Sequence, residues 1–254
     1  MCNIFIYVVY SVYNLVNQVQ YRWGIMNLQT LTDKGRLRAE NQDNYWSAIA
    51  EVDGIEYGVV CICDGMGGLK NGGDASRIVA KSVKDYIVEN FDFDGLQDVL
   101  SEVNKRVNSI GGSSKETMMG TTCSILMVAN GVYRILHVGD SRVYLLRGGK
   151  SYRITEDHSA VVALHIDRHK EPEKWLKYRS KLTRCIGAKE SVVPDYYEGR
   201  YIPGDIFFLC SDGVWHTFDN NPLVEGDLED LHTLFDRCML EGESDNLTAC
   251  VLRI

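Results

Sequence analysis

The feature that most constrains this chain is an apolar run that ends in a carboxylate. Residues 60–63 read VCIC, Asp64 follows directly, and three of the next four residues are glycines. Glycine lets the backbone approach a ligand closely, because it has no Cβ. One interpretation is a strand and a Gly-rich turn capped by Asp64. The other is a strand that carries a carboxylate to a site where the backbone meets an ion or a phosphate.

Three more aspartates stand at the ends of apolar strand-like runs. Asp212 ends the run IFFLCS, Asp140 follows HVG, and Asp245 precedes LTACVLRI. One such aspartate means little, because Asp is a common turn residue. Four of them at one sheet edge would repel one another unless cations neutralised them. Carboxylate oxygens suit Mg²⁺ or Mn²⁺, and two such ions about 3.5–4 Å apart form a phosphoester-hydrolysing site.

Asp43 and Arg38 lie in the segment RAENQD and add a further element. The planar guanidinium group binds phosphoryl oxygens in a bidentate manner, which makes Arg38 a candidate phosphate ligand. The alternative interpretation of Arg38 taken by itself is an ordinary surface arginine.

The order of the elements predicts the fold class. Strands are expected at residues 44–50, 55–63, 121–129, 132–138, 142–146, 151–155, 195–199, 206–210 and 247–254, and helices at 74–90, 96–107 and 228–240. Residues 158–180 are polar and irregular. The turns Asn130-Gly131 and Gly148-Gly149 join neighbouring strands by short hairpins, which make antiparallel pairs. The chain is therefore expected to be an α+β protein, with layered antiparallel sheets and helices outside.

Composition limits the classes of binding partner and indicates the cellular compartment. The formal net charge is -8, which argues against nucleic acid or an anionic membrane as the main partner. The eight cysteines include no C-x-x-C pair, and several lie in apolar strands. They are interpreted as buried, reduced side chains of a cytoplasmic protein.

Residues 1–25 differ from the rest of the chain. Met1 to Val16 is apolar but has no preceding basic residues, and Asn3 and Asn14 interrupt it. It fits neither a signal peptide nor a spanning helix of about 20 apolar residues. Residues 1–25 are therefore expected to be a non-native or poorly ordered extension from a misplaced start codon. A short hydrophobic anchor is the alternative, and stable membrane insertion is not expected.

Eight motifs in order give the chain a family resemblance. They are TDKGRLRAENQD, CDGMGG, MGTTCS, HVGDSRVY, TEDHS, LTRCIG, LCSDGVW and SDNLT, from Thr32 towards Ile254. The set resembles the metal-dependent serine/threonine phosphatases of the protein phosphatase 2C type, in their bacterial form. The resemblance implies an α-β-β-α sandwich of two antiparallel sheets flanked by helix pairs. Residues 26–254 would form a single phosphatase domain with a flap at about 158–183.

The resemblance also implies a role for each matching residue. Two Mn²⁺ or Mg²⁺ ions would be held by Asp64 and the Gly65 carbonyl, with Asp212, Asp245 and, through water, Asp43. Asp140 would bind a third, weaker ion, and Arg38 would bind the phosphate. A water bridging the metals would attack phosphorus directly, so that the catalytic residues are Arg38 and Asp64.

Two departures from the family pattern affect mechanism and specificity. Met66 stands, as is usual in bacterial members, where members with the sequence Asp-Gly-His have a histidine near the leaving group. The proton donor is therefore not identified, and water and His158 are the candidates. The flap sequence is unusually charged, and the stretch 218–243 is short, so substrate choice is expected to depend on them.

The expected function is a phosphatase of phosphorylated proteins, acting as a monomer on the products of a Ser/Thr kinase. The alternatives are a catalytically weak phosphoprotein-binding relative, or a dedicated phosphatase of a single regulatory protein.

Overall fold

The computed structural model describes the backbone of residues 4–7 and 19–23, and all atoms of residues 26–66, 71–112, 117–218 and 223–254. The strands are β1 (Ile4–Tyr7), β2 (Val19–Trp23), β3 (Met26–Asp33), β4 (Asn44–Val52), β5 (Ile55–Cys63), β6 (Cys123–Ala129), β7 (Val132–Val138), β8 (Arg142–Arg147), β9 (Lys150–Arg153), β10 (Asp195–Arg200), β11 (Ile206–Cys210) and β12 (Leu247–Arg253). The helices are α1 (Gly72–Asn90), α2 (Leu96–Gly111), α3 (Ala160–Ala163), α4 (Pro172–Tyr178), α5 (Asp212–Trp215) and α6 (Leu231–Leu240), with 3-10 turns at His216–Phe218 and Glu225–Leu228.

The strands form two sheets, and all the pairs are antiparallel. The first sheet has the order β1-β4-β5-β6-β7-β10, and the second has the order β2-β3-β12-β11-β8-β9. From residue 26 onward each sheet has five strands. The segments 4–7 and 19–23 add one edge strand to each, against β4 and β3.

Three apolar layers hold the sheets and helices together. Alternate residues of β5 divide between two of them, because successive side chains of a strand point to opposite faces. Cys61 packs towards α1 and α2, whereas Val60 and Ile62 pack into the layer between the two sheets. In the second sheet, Phe207 faces the first sheet and Phe208 faces α6. This arrangement is the predicted α-β-β-α sandwich.

Several elements differ from the sequence-based expectations. Strand β3 was not predicted, because polar Gln29 and Thr30 are buried alongside its apolar residues and obscure the alternation. Residues 158–180 contain two short helices, α3 and α4, instead of being irregular throughout. The helix expected at 228–240 begins at Leu231, after a separate 3-10 turn.

Among the residues that the structure describes, no helix is both long enough and apolar enough to cross a membrane.

Candidate active site

Strand β5 ends at the site, and backbone hydrogen bonds fix the position of Asp64. The Asp64 N–H donates to Thr122 Oγ1 at 2.9 Å. Its carbonyl accepts from the Thr122 N–H at 2.8 Å and from Thr121 Oγ1 at 2.9 Å. The carboxylate therefore leaves a backbone that is held by strand β6 and the residues before it.

Gly65 occupies a position that admits no side chain. A Cβ at this residue would lie 2.5 Å from the carbonyl oxygen of Gln42 and 2.5 Å from the backbone of Gly72. The Gly65 N–H donates to that same Gln42 oxygen at 3.2 Å. The glycine after Asp64 is therefore required by the close approach of other backbone segments, a reason that the sequence pattern did not indicate.

Asp43 is buried just before β4 and has one satisfied oxygen. Thr248 Oγ1 donates to Asp43 Oδ2 at 2.7 Å, while Asp43 Oδ1 has no hydrogen-bond partner among the residues that the structure describes. Burial, more than the charges of Asp212 and Asp245, raises the pKa of Asp43 to about 7. A buried carboxylate oxygen without a partner is costly, and a cation or a donor would relieve that cost.

The second sheet and the connection between the sheets supply the other three aspartates. Asp212 is the first residue of α5 and follows β11, and Asp245 precedes β12. Asp140 lies between β7 and β8, and its carbonyl accepts from Trp215 Nε1 at 2.8 Å. Gly213 allows α5 to begin beside Asn246, since a Cβ there would lie 2.2 Å from the Asn246 carbonyl oxygen.

The other four predicted aspartates lie near enough to Asp64 for their charges to act on it. Burial is the first cause of the raised pKa of Asp64; it is followed by the negative charges of Asp43, Asp212, Asp140 and Asp245. Burial also raises the pKa values of Asp140 and Asp212, again with added repulsion from neighbouring acids. Removal of repelling carboxylates from water is unfavourable unless positive charge compensates. These hard oxygen donors, together with the unpaired Asp43 oxygen, fit Mg²⁺ or Mn²⁺.

Arg38 lies at the rim of the aspartate cluster. Its Nη2 donates to Asp245 Oδ2 at 2.5 Å, and both side chains are about one-third exposed (37% and 29%). Burial lowers the pKa of Arg38, but the hydrogen bond and charge of Asp245, followed by the charges of Asp212 and Asp64, outweigh this effect, so the pKa lies above its ordinary value. The guanidinium group can therefore be reached from solvent while it remains beside the carboxylates.

The structure gives His158 a different environment from that of a proton donor. The Gly139 N–H donates to His158 Nδ1 at 3.0 Å, and Nε2 lies 3.0 Å from Asp195 Oδ2. Nδ1 must accept, so Nε2 carries the proton and donates to Asp195. Both ring nitrogens are thus engaged in buried contacts within the fold.

Sequence reasoning missed the residues that position the aspartates. Asn246 accepts from the Gln42 N–H at 2.9 Å and donates to the carbonyls of Lys34 and Glu40 at 2.8 and 3.0 Å. These contacts hold the segment that carries Arg38 beside the start of β12. The SDN and MGTT motifs contain Asn246 and Thr122, but the sequence spacing does not reveal which distant backbone groups they bind.

Three cysteines form a separate cluster of potential ligands. The sulfurs of Cys61, Cys63 and Cys123 all lie within 4.8 Å of one another in the layer between the first sheet and α1 and α2. The seven cysteines of the described segments are buried and free, as expected from the sequence. The cluster faces away from the sheet interface and is not part of the aspartate site.

Comparison with known proteins identifies similar chains. A family model described as Protein phosphatase 2C matches residues 36–250. Serine/threonine phosphatase stp of Listeria innocua is 30% identical over 216 residues, which cover 81% of this chain and 82% of that protein. Protein phosphatase PhpP of Streptococcus pneumoniae is 28% identical over 244 residues, covering 89% of this chain and 97% of that one.

A solved structure has the same arrangement of elements. It is the PPM Ser-Thr phosphatase MsPP from Mycobacterium smegmatis in complex with cacodylate, with a TM-score of 0.72 and 29% sequence identity. The match covers 89% of this chain and 97% of that one.

Proposed function

Because this chain belongs to the protein phosphatase 2C family and is a Ser/Thr protein phosphatase, we propose that it hydrolyses phosphoserine and phosphothreonine with two Mn²⁺ or Mg²⁺ ions. The observation that carries the proposal is the cluster of five strand-end aspartates beside Arg38. Such a cluster is unfavourable in the folded protein by itself, and divalent cations would offset the repulsion.

The proposed metal ligands are the predicted ones. Asp64, the Gly65 carbonyl, Asp212 and Asp245 would hold the two ions, with Asp43 contributing through water. Asp140 would serve a third, weaker ion. When bound, the divalent cations would lower the pKa of a water nucleophile and neutralise charge on the phosphoryl oxygens.

Arg38 is the proposed phosphate ligand of the protein itself. Its exposed guanidinium group can turn from Asp245 to two oxygens of a phosphoryl group, as its planar fork favours. Arg38 would position the phosphoryl group and Asp64 would hold the cations beside it, so that water attacks phosphorus directly and the serine or threonine hydroxyl leaves, without a phosphoenzyme. We assign the leaving-group proton to solvent water, since His158 is engaged with Gly139 and Asp195.

The remaining assignments follow from this function. The substrates would be phosphorylated proteins produced by a Ser/Thr kinase, and the protein would act as a cytoplasmic monomer. Residues 26–254 would form one domain, which the pairing of β3 with β12 supports, because it joins the two ends of this range. The binding of cacodylate, a tetrahedral oxyanion, by the relative MsPP supports an oxyanion site in this fold.

The test measures phosphate release from a phosphothreonine peptide with Mn²⁺ and with EDTA. Wild type should release phosphate with Mn²⁺ only, and Asp212→Asn should lose at least about two orders of magnitude of activity. Asp98→Asn, on the exposed face of α2, is the matched control and should retain activity. Absence of release from folded, Mn²⁺-loaded wild type would contradict the proposal and favour the phosphoprotein-binding alternative.

A further inference from the structure

A cavity of about 420 Å³ lies between residues 159–179 and the second sheet. Its walls include Arg142 and Arg153 from β8 and β9, Trp215 from α5, and Arg168 and Arg179 from the 159–179 segment. Its volume is within the usual range for small-ligand pockets, about 300–1,000 Å³. The cavity is separate from the aspartate cluster but borders it, since Trp215 also donates to the Asp140 carbonyl.

The cavity is positive in a protein that is negative as a whole. Four arginines line it against two aspartates, whereas the full chain carries a formal net charge of -8. One of the aspartates, Asp157, accepts hydrogen bonds from Arg142 Nε at 3.0 Å and Arg142 Nη2 at 2.7 Å. It also accepts one from Arg153 Nη1 at 3.4 Å. The other, Asp167, accepts from the backbone N–H groups of His169 and Lys170. The acidic groups are therefore already engaged, Asp157 with two of the four arginines, and arginines outnumber acidic residues in the lining.

One polar atom in the cavity wall has no partner. Ser159 is 2% exposed, and its Oγ makes no hydrogen bond to any of the described residues. It precedes the short helix α3, yet it makes no side-chain capping hydrogen bond there. A buried hydroxyl usually has a partner, so a ligand oxygen in the cavity would satisfy it.

Aromatic rings orient the cations. Arg142 Cζ lies 3.3 Å from the ring centroid of Trp215, and Arg168 Cζ lies 4.6 Å from that of Trp175. Arg179 also lies over Trp175, at 5.5 Å. Stacking restricts the guanidinium planes, so less conformational freedom is lost when they bind an anion.

We propose that this cavity binds a second acidic group of the phosphoprotein, a phosphate or a carboxylate, on a residue near the one that is dephosphorylated. The inference rests on the proposed function, because it places the scissile phosphate at the aspartate cluster. The closeness of Arg179 to Asp212 supports it, since the Arg179 charge is among those that act on Asp212. The enzyme would then prefer acidic or multiply phosphorylated segments.

The test uses phosphothreonine peptides of equal length in which one flanking position at a time carries glutamate, phosphoserine or neutral glutamine. For wild type, at least one register should lower KM by about tenfold relative to the glutamine peptide. In Arg168→Gln the ratio of the two KM values should fall below about twofold, and Ser159→Ala should reduce it as well. Arg168→Lys should retain part of the preference.

Arg106→Gln is the matched control, because Arg106 is exposed on α2, away from the cavity, and it should keep the full ratio. The preference should also weaken as salt is added. A wild type without preference in any register, or an Arg168→Gln/Arg153→Gln protein that retains it, would overturn the proposal. Calorimetric binding of inorganic sulfate without any peptide preference would overturn it too, since the cavity would then serve free anions.

Failure of the proposed function gives a different pattern. If the Mn²⁺-loaded protein hydrolyses neither the peptides nor p-nitrophenyl phosphate, the catalytic assignment fails. Fluorescence anisotropy with phosphonate analogues of the same peptides then tests the cavity by itself. A Kd preference for the acidic register that Arg168→Gln abolishes supports the cavity proposal, and equal Kd values overturn it.

Discussion

At the scale of single residues, the absence of a side chain matters at this site as much as the presence of a charge. Gly65 shows this most directly, because the backbones of Gln42 and Gly72 fill the volume that a Cβ would need. Side chains outside the proposed set of ligands, such as Thr122 and Asn246, hold the backbone segments that carry Asp64 and Arg38. The identity of the carboxylates is therefore only part of what the site requires.

Gly65→Ala should impair the enzyme although every aspartate remains. The added methyl group would lie 2.5 Å from backbone atoms that cannot move independently. We expect a loss of about 1–3 kcal/mol in the free energy of unfolding and at least a tenfold fall in phosphatase activity. Urea denaturation and phosphate release measure the two effects. Gly226→Ala, where a Cβ would meet nothing within 4 Å, is the control, and an equal loss there would contradict the explanation.

Asn246→Ala should detach the segment that carries Arg38. The substitution removes one accepted and two donated hydrogen bonds to Gln42, Lys34 and Glu40. Buried hydrogen bonds contribute about 1 kcal/mol each, so stability should fall by roughly 2–3 kcal/mol. The peptide KM should rise as Arg38 loses its position. An unchanged KM in a variant that is folded at the assay temperature would show that this segment does not depend on Asn246.

At this scale the sequence identifies the acidic ends of strands, but it does not identify the residues that hold them in place. An aspartate at the end of an apolar run is a local pattern, so Asp64, Asp140, Asp212 and Asp245 can be found without a structure. The partners of Asn246 lie more than two hundred positions away in the chain. Such contacts depend on how two sheets meet, which local patterns do not contain.

At the scale of elements, two properties explain which helices and strands can be predicted from the sequence. They are the length of the element and whether polar residues are buried along with its apolar ones. Helices α1 and α2 are long, with clear apolar spacing, and they were found with small shifts at their ends. Helices α3 and α5 have four residues each, too few for a period of 3.6 to be recognised. Strand β3 mixes buried apolar and polar residues, so its alternation is weak.

The N-cap of α6 provides a test of stability without a change at the site. Asp230 accepts from the N–H of His232 at 3.0 Å and that of Thr233 at 3.3 Å. Asp230→Ala should lower the free energy of unfolding by about 1 kcal/mol, because two backbone donors lose their partner. Activity at low temperature should be unchanged. Asp236→Ala, on the exposed face of the same helix, is the control for urea denaturation, and an equal loss there would contradict a capping role.

At the scale of the whole molecule, the site joins the two sheets. Asp43 and Asp64 flank strands of the first sheet, and Asp212 and Asp245 flank strands of the second. Asp140 lies on the connection from one sheet to the other. Ligands shared by these aspartates would therefore hold the sheets together, and folding stability should increase with metal concentration.

Acid stability should depend on His137, which is buried in β7. Its Nε2 donates to the Glu156 carbonyl at 3.1 Å, and Nδ1 accepts from Ser124 Oγ at 2.9 Å. Burial, then the charge of nearby His158, lowers the pKa of His137 to about 4, although Asp157 and Asp195 oppose the shift.

The unfolded state therefore binds a proton at His137 below its ordinary pKa of about 6.5, while the folded state stays neutral down to about 4. Stability should fall as pH drops through this range, by at most about 3 kcal/mol from this group. His137→Gln should be less stable at pH 7 but lose less between pH 7 and pH 4. Urea midpoints measure both, with exposed His232→Gln as the control. Parallel pH curves for wild type and His137→Gln would contradict this assignment.

The position of β12 has a consequence for how the protein is made. This strand, at residues 247–253, lies between β3 and β11 in the interior of the second sheet. While it is still inside the ribosome, β3 and β11 have no common partner, and Asp245 has not joined the other acids. Domains fold as units during synthesis. The nascent phosphatase should therefore stay inactive until residues 247–253 have left the ribosome and paired with both neighbouring strands.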